Sequence, residues 1–288
     1  MNNSKASFLI RSKLFVPATR QDFYEKALNS KADAICFDFE ASVVNAQKPL
    51  ARLTLSKFLA TDFKTSKTLM VRVNPVSSEN FMLDFKVALH PKINIINLPL
   101  VNNVHEVKKA AQLVKDNAPH IRLLINIETA QALRLAADLA TSDDLVCGLQ
   151  LGYADLFKSC RINRRQLDAL SYIRLQTRLA ASEANIEAYD GAWPYIKDLE
   201  GYRTECQHAR DLGFAGKSCI HPTQITTANE VFLPTSEEIA SAMAIIEKAK
   251  EAEKSGLGAS SVNGQMIDEP FIQAAYQTLE WAKQISDK

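Results

Sequence analysis

A surplus of charge of either sign is missing from this sequence. Lys and Arg together number 34 against 33 Asp and Glu, a formal net charge of +1 at pH 7. No Lys/Arg block offsets that neutrality, so there is no basic field to hold nucleic acid and no nucleic-acid partner is expected. Long apolar runs are missing too. Near the N-terminus only Phe8, Leu9 and Ile10 are contiguous, too few for a signal-peptide core, and no later run is long enough to span a bilayer. The expectation is a cytoplasmic chain with no membrane partner. Cysteine pairs are absent: Cys36, Cys147, Cys160, Cys206 and Cys219 are odd in number, scattered, and never in a CxxC spacing. They read as reduced thiols, not as a disulfide frame or a zinc site. A nucleophilic cysteine is the alternative, but Cys36, Cys147 and Cys219 sit among apolar residues, where buried strand thiols belong.

What is present is an alternation of short apolar runs and helical patterns. Strands are expected at Leu14–Pro17, Ala34–Phe39, Leu69–Val73, Ile93–Leu98, Ile121–Ile127, Leu145–Leu151, Ile186–Tyr189 and Gly216–Ile220. Amphipathic stretches between them include Gln21–Ser30, Val104–Asn117, Ala130–Ala140, Arg165–Ala184 and Leu199–Leu212. Runs such as IRLLINI and DAICFDF are almost wholly apolar, as parallel strands covered on both faces require. Eight strands, each followed by a helix, fit a (β/α)8 TIM barrel. An open doubly wound sheet is the alternative. Its usual glycine-rich phosphate turn is absent, because the chain reads PATRQD after the first strand. Beyond the eighth strand, Glu237–Lys254 has a helical stripe of Ile239, Met243 and Ile246, SGLGASSVNGQ reads as a linker, and Glu269–Gln284 reads as a last helix. The expected division is therefore 1–254, barrel plus following helix, and 255–288, linker and C-terminal helical arm, the arm packing on a neighbouring subunit.

Chemistry in a parallel barrel gathers where the strands end. Those ends carry Asp38 and Glu40, Arg72 and Asn74, Glu128, Asp155, Asp190 and His221. Each has a structural alternative. Glu128 and Asp155 can cap the helices that follow them. Arg72 can pair with Asp38 or Glu40. His221, before Pro222, suits a turn, and Trp193 and Tyr195 suit packing or an interface. The lysines at 108–109 and 248–254 suit solvated helix faces. Two carboxylates facing one cavity make a natural Mg²⁺ site, since that ion takes one or two protein carboxylates and leaves its other positions to water and substrate. A metal beside an arginine suits reactions that pass through an enolate.

Longer segments resemble the HpcH/HpaI aldolase/citrate lyase β-subunit family. RSKLFVP (Arg11–Pro17), ADAICFDFEASV (Ala32–Val43) with Lys48, Ala51 and Arg52, VRVNP (Val71–Pro75), INIETAQAL (Ile125–Leu133), LGYADL (Leu151–Leu156) and GFAGKSCIHPTQI (Gly213–Ile225) are similar to its signatures in consistent order, as are FLPTSEEI (Phe232–Ile239) and NGQMIDEP (Asn263–Pro270). The resemblance implies a Mg²⁺-dependent carbon–carbon lyase, with Mn²⁺ as a substitute ion. The reaction joins or separates an acetyl thioester and a 2-oxo acid through a 3-hydroxy-acyl thioester. It also implies residue roles. Glu128 and Asp155 hold the metal, Arg72 binds and polarises the reacting oxygens, and amides around Gly152, Tyr153, Ala154 and Asp155 cradle the 2-oxo acid carboxylate. Asp38 and Glu40 support the site. The resemblance also puts Asp268 on an arm given to an adjacent subunit, in a homo-oligomer of three or six chains. With Glu128 and Asp155 engaged by metal and no acid at Ala41, Asp268 is the group left to exchange a proton with the acetyl carbon; the alternative is that it only caps the helix beginning near Glu269. Two departures stand out: the family's DLED reads Asp38-Phe39-Glu40-Ala41 here, and its LPK reads Leu98-Pro99-Leu100. The carrier of the thioester is left open between coenzyme A and an acyl-carrier protein of a citrate lyase complex. A barrel that has lost its chemistry and serves in binding is a further alternative.

Overall fold

A computed structural model describes residues 8–254, 260–262 and 265–286. Eight parallel strands close into a barrel in sequence order. They are β1 (Ser12–Pro17), β2 (Ala34–Asp38), β3 (Thr68–Arg72), β4 (Ile95–Leu98), β5 (Arg122–Ile127), β6 (Val146–Leu151), β7 (Glu187–Asp190) and β8 (Gly216–Cys219). Closure is made by β8 against β1, with Lys13 opposite Ser218 and Leu14 opposite Cys219. Every expected strand is present, and the barrel reading holds over the doubly wound sheet.

Side chains alternate across the strands, which assigns each face its role. Leu14, Val16, Ile35, Phe37, Leu69, Val71, Ile125 and Ile127 belong to the continuous core between the barrel and its helices. The opposite set is strongly polar: Lys13, Asp38, Asn97, Asn126, Gln150 and Ser218 are all buried. Cys36, Cys147, Cys206 and Cys219 are buried free thiols, and Cys160 is exposed.

Helices follow the strands around the outside. Val104–Asn117 forms as expected, capped by Asn103, whose side chain accepts from the Glu106 amide. The stretch expected to be one helix over Ala130–Ala140 is two, Ala130–Arg134 and Ala136–Thr141, separated at Leu135. Further helices at Tyr24–Leu28, Lys48–Leu59, Phe81–Ala88, Tyr153–Cys160, Leu167–Glu183, Leu199–Asp211 and Thr223–Val231 complete the ring.

The chain divides into compact units between Phe232 and Leu233. Helix Ser236–Lys254 therefore groups with the C-terminal segment and not with the barrel. In that unit it meets helix Glu269–Ser286 through Ala242, Ile246 and Ala275. Thr235 and Glu238 cap its start reciprocally: the Thr235 amide donates to Glu238 Oε2 (2.7 Å) and the Glu238 amide to Thr235 Oγ1 (3.1 Å). Part of the expected linker is ordered as an antiparallel hairpin, β9 (Ser260–Val262) with β10 (Gln265–Ile267). Positions 255–259 and 263–264 of that linker lie outside the described residues. No described helix is long and apolar enough to cross a membrane.

Candidate active site

The C-terminal ends of the strands surround a cavity of about 570 Å³, a volume suited to a small ligand. Phe15 and Pro17 of β1 contribute to its wall, as do Asp38, Arg72, Glu128 and Asp155. Four of the charged residues expected at the site thus meet at one opening.

Arg72 ends β3 and is gripped on two sides. Its Nε and Nη2 donate to Asp38 Oδ1 and Oδ2 at 2.7 and 2.8 Å, and Nη1 lies 3.3 Å from Glu40 Oε2. Its guanidinium carbon stands 4.7 Å from the Phe15 ring centroid. Pairing with Asp38 and Glu40 and facing the cavity are therefore compatible, because the pairs set the fork's direction. Burial alone would lower the Arg72 pKa, but Asp38, then Glu40 and Glu128, hold it above its ordinary value. Burial would raise Asp38, yet Arg72 outweighs it and keeps that carboxyl below its usual range. Amides of Glu40 and Ser42 also donate to Asp38, at 2.9 and 3.0 Å.

Glu128 directly follows β5 and is buried. It does not cap the next helix; Thr129 does, its side chain accepting from the Ala132 amide at 3.0 Å. Glu128 Oε1 accepts from Asn126 Nδ2 (3.0 Å), and Oε2 from the Leu100 amide (2.8 Å). Asn126 is itself fixed, receiving Asn97 Nδ2 at 2.6 Å. Leu100 has φ of +50°, the left-handed region that a non-glycine residue adopts at a cost, and this turn aims its amide at Glu128. Burial raises the Glu128 pKa; Arg72 and the Leu100 amide oppose the rise, while Glu40 and Asp155 add to it. Glu40 is raised by the same main cause.

Asp155 is exposed in the first turn of helix Tyr153–Cys160. Gly152 is the N-cap and has no side chain to bond the first amides, so those of Tyr153, Ala154 and Asp155 are left facing the cavity end of the helix. Gly152 itself stands against the Glu128 carboxyl.

The donor chemistry fits a hard divalent cation. The negative charge of Asp155 raises the pKa of both Glu40 and Glu128, and that of Glu40 raises Glu128 further, as like charges facing one cavity do. Among the described residues no three His, Cys, Asp or Glu side chains form a cage, so Glu128 and Asp155 would supply two ligands and leave the rest to water and substrate.

Other candidates fall elsewhere. Asp190 ends β7 but faces outward, where it binds Arg174 Nη2 (3.0 Å), Lys217 Nζ and the Tyr153 hydroxyl. Glu205 joins this buried group through Arg174 (2.9 Å). Asn74 is likewise structural, tied to Asp84, the Phe39 carbonyl and Lys48. His221 Nδ1 contacts Thr223 Oγ1 at 2.9 Å in the turn before a helix. The Trp193 indole donates to the Asp198 carbonyl, and Trp193 packs edge-on against Tyr195. Asp268 belongs to the second unit: its carbonyl accepts from the Ile272 amide, and its buried Oδ1 has no partner among the described residues. Lys13, Phe15, Gln150 and Ser218 were not singled out from sequence. Alternation within RSKLFVP is the signal that places Lys13 and Phe15 on the inner face with Pro17.

The model of the HpcH/HpaI aldolase/citrate lyase family matches residues 11–222. The chain belongs to that family. Within it, the chain is 36% identical over 281 residues to the (3S)-malyl-CoA thioesterase of Cereibacter sphaeroides (strain ATCC 17025), covering 96% of this chain and 95% of the relative. It is 31% identical to the citrate lyase subunit beta of Haemophilus influenzae, covering 96% and 97%. The structure of CitE from Mycobacterium tuberculosis in complex with magnesium, acetoacetate and coenzyme A is similar at a TM-score of 0.78 and 29% identity, over 94% of this chain and 97% of that one. The citrate lyase beta subunit of the same organism, complexed with oxaloacetate and magnesium, is similar at a TM-score of 0.67 and 28% identity, over 81% of this chain and 100% of that one.

Proposed function

We propose that this chain is a Mg²⁺-dependent lyase that cleaves, or in reverse forms, the carbon–carbon bond of a 3-hydroxy-acyl thioester, giving an acetyl thioester and a 2-oxo acid. The observation that carries the reading is the meeting of Glu128 and Asp155 with the doubly paired Arg72 at one cavity. The magnesium-bound relatives support the choice of ion. Glu128 and Asp155 would hold the ion, which would supply Lewis acidity to offset negative charge on the substrate oxygens.

The protein's own groups supply the rest. The Arg72 fork, fixed by Asp38, binds the oxygen on which charge grows as the hydroxyl gives its proton to water and becomes a carbonyl. First-turn amides of helix Tyr153–Cys160 hold the carboxylate of the departing 2-oxo acid. The electron pair of the broken bond stays with the acetyl thioester as its enolate, which takes a proton at carbon. Asp268, donated by the second unit of an adjacent chain in a homo-oligomer, is the group for that transfer.

Thioester hydrolysis is a second reading, favoured by the 36% identity to a malyl-CoA thioesterase. A β subunit acting on a carrier-bound substrate is a third, favoured by the citrate lyase relatives. Incubation with Mg²⁺ and a panel of 3-hydroxy-acyl-CoA compounds separates them by products. A lyase releases acetyl-CoA and a 2-oxo acid in equal amounts, whereas a thioesterase releases free CoA and the intact hydroxy acid. Turnover only of substrates loaded on an acyl-carrier protein selects the third, and no turnover of any thioester marks a barrel kept for binding.

A further inference from the structure

Lys13 lies in the barrel interior below the cavity. It is 2% exposed, and its Nζ has no hydrogen-bond partner among the described residues. The neighbours it does have are informative. Nζ stands 4.7 Å from the Phe15 ring centroid, the same distance as the Arg72 guanidinium from that ring. Ser218 is its register partner across the β1–β8 seam, and both Ser218 and Gln150 also line the cavity. Ser218 Oγ, Gln150 Oε1 and Asn97 Oδ1 are buried and unpartnered as well. A cation at such a depth without a carboxylate in contact is costly to keep and serves no packing purpose that methionine would not serve better.

Its worth is electrostatic. Asp38, Glu128 and Asp155 line the cavity and Glu40 stands behind it against Arg72; the inner cations are Arg72 and Lys13. Four negative charges against two positive leave −2, which one divalent ion cancels. Without Lys13 the loaded cavity would keep a net negative charge and repel an anion. The remaining cations of the wall are placed differently: Arg164 is bound to Glu205 at 2.7 Å, and Lys158 is exposed at the rim.

We propose that Lys13 is the internal counter-charge of the site, a positioning residue that weakens the hold on the cation in order to admit an anionic ligand beside it. This rests on the reading that Glu128 and Asp155 hold Mg²⁺. Lys13 faces Cys36 and Asp38 from β2, Arg72 from β3 and Glu128 at the end of β5; burial, against the pull of Cys36, lowers its pKa to about 8. Cys36 is pushed up to about 11 by burial, so Lys13 is the inner group that changes charge between pH 7 and pH 9.

The test is calorimetry with two probes of opposite charge: Mg²⁺ on the metal-free protein and pyruvate on the Mg²⁺-saturated protein. Removing the charge by Lys13→Met is expected to tighten Mg²⁺ and weaken pyruvate, each by roughly 5- to 50-fold, the scale of a unit charge several ångströms away at an effective dielectric near 20. Raising the pH from 7 to 9 should move wild type in the same two directions and leave Lys13→Met unmoved. Both affinities shifting together, or neither shifting, overturns the proposal. If Lys13→Met does not fold, the wild-type pH comparison decides alone, and a flat Mg²⁺ affinity overturns it. Failure of the underlying site is distinguishable, because Mg²⁺ binding would then be absent in wild type or unchanged in Glu128→Gln.

Discussion

Glu128 occupies the space that a side chain at position 152 would need: an ideal Cβ on Gly152 would lie 2.3 Å from both Cγ and Oε1 of Glu128. Two residues from neighbouring strand ends thus share one volume, and the glycine is what allows the buried carboxyl to reach the cavity. Gly152→Ala should displace Glu128 and cost about 1–3 kcal/mol of stability, the usual penalty of overpacking. Mg²⁺ affinity should fall with it, while Gly→Ala at an exposed loop position would leave both unchanged. Urea denaturation and calorimetry measure the two effects.

Asp155 is exposed, so its ionic role separates cleanly from the fold. Asp155→Asn should change stability by no more than about 0.5 kcal/mol yet abolish Mg²⁺ binding and turnover together. Glu128→Gln should lose the metal as well. A variant that loses the metal in calorimetry but keeps full turnover would refute the assignment.

Arg72→Lys keeps the charge but not the fork that meets both oxygens of Asp38. If Arg72 acts on charge that grows during reaction, kcat should fall by about 10²-fold or more, with substrate affinity nearly unchanged. An effect confined to KM would make it a uniform binding group.

Lys13 predicts a trade between stability and ligand binding. Its pKa is lowered from 10.5 to about 8, chiefly by burial, so the folded protein holds this proton less tightly than the unfolded chain. The penalty is fully present below pH 8 and vanishes as the pH rises through 10.5. Lys13→Met should therefore be more stable than wild type by up to about 3 kcal/mol at pH 7. That advantage should shrink steadily between pH 8 and 10.5 in urea melts.

Asp268 is tested by mixing two inactive proteins. Asp268→Ala and Glu128→Ala chains, dissociated and reassembled together, should regain part of the activity if each active site draws Asp268 from another chain. Mixtures that stay inactive, although assembled, would place Asp268 with its own barrel or outside the chemistry.

The barrel was legible because its outward strand faces and covering helices make one apolar shell, so segments such as Arg122–Ile127 appear as short hydrophobic runs. The places of Arg72 and Glu128 at strand ends, and of Asp155 in the helix turn after one, were legible for the same reason. Direction was harder to read. Asp190 sits at a strand end like Asp38, but its side chain meets Arg174 of helix Leu167–Glu183, on the outer side of the strand. Lys13 escaped notice because it lies well before the end of its strand. Within SGLGASSVNGQ the Gly/Ser-rich composition suggested a linker, yet Ser260–Val262 pairs with Gln265–Ile267 through the backbone. The break at Leu135 also follows from backbone geometry and not from any proline or glycine.

The contact between Leu100 and Glu128 is made by the main chain, and that has a consequence for how this position can diverge. Since only the amide is recruited, side chains at 100 are interchangeable as far as Glu128 is concerned, provided the backbone stays left-handed. The lysine expected from the family signature is accordingly replaced by leucine with the amide still 2.8 Å from the carboxyl. Position 100 is thus a place where the polarity of the barrel mouth can drift between relatives while the acid beneath it stays in register.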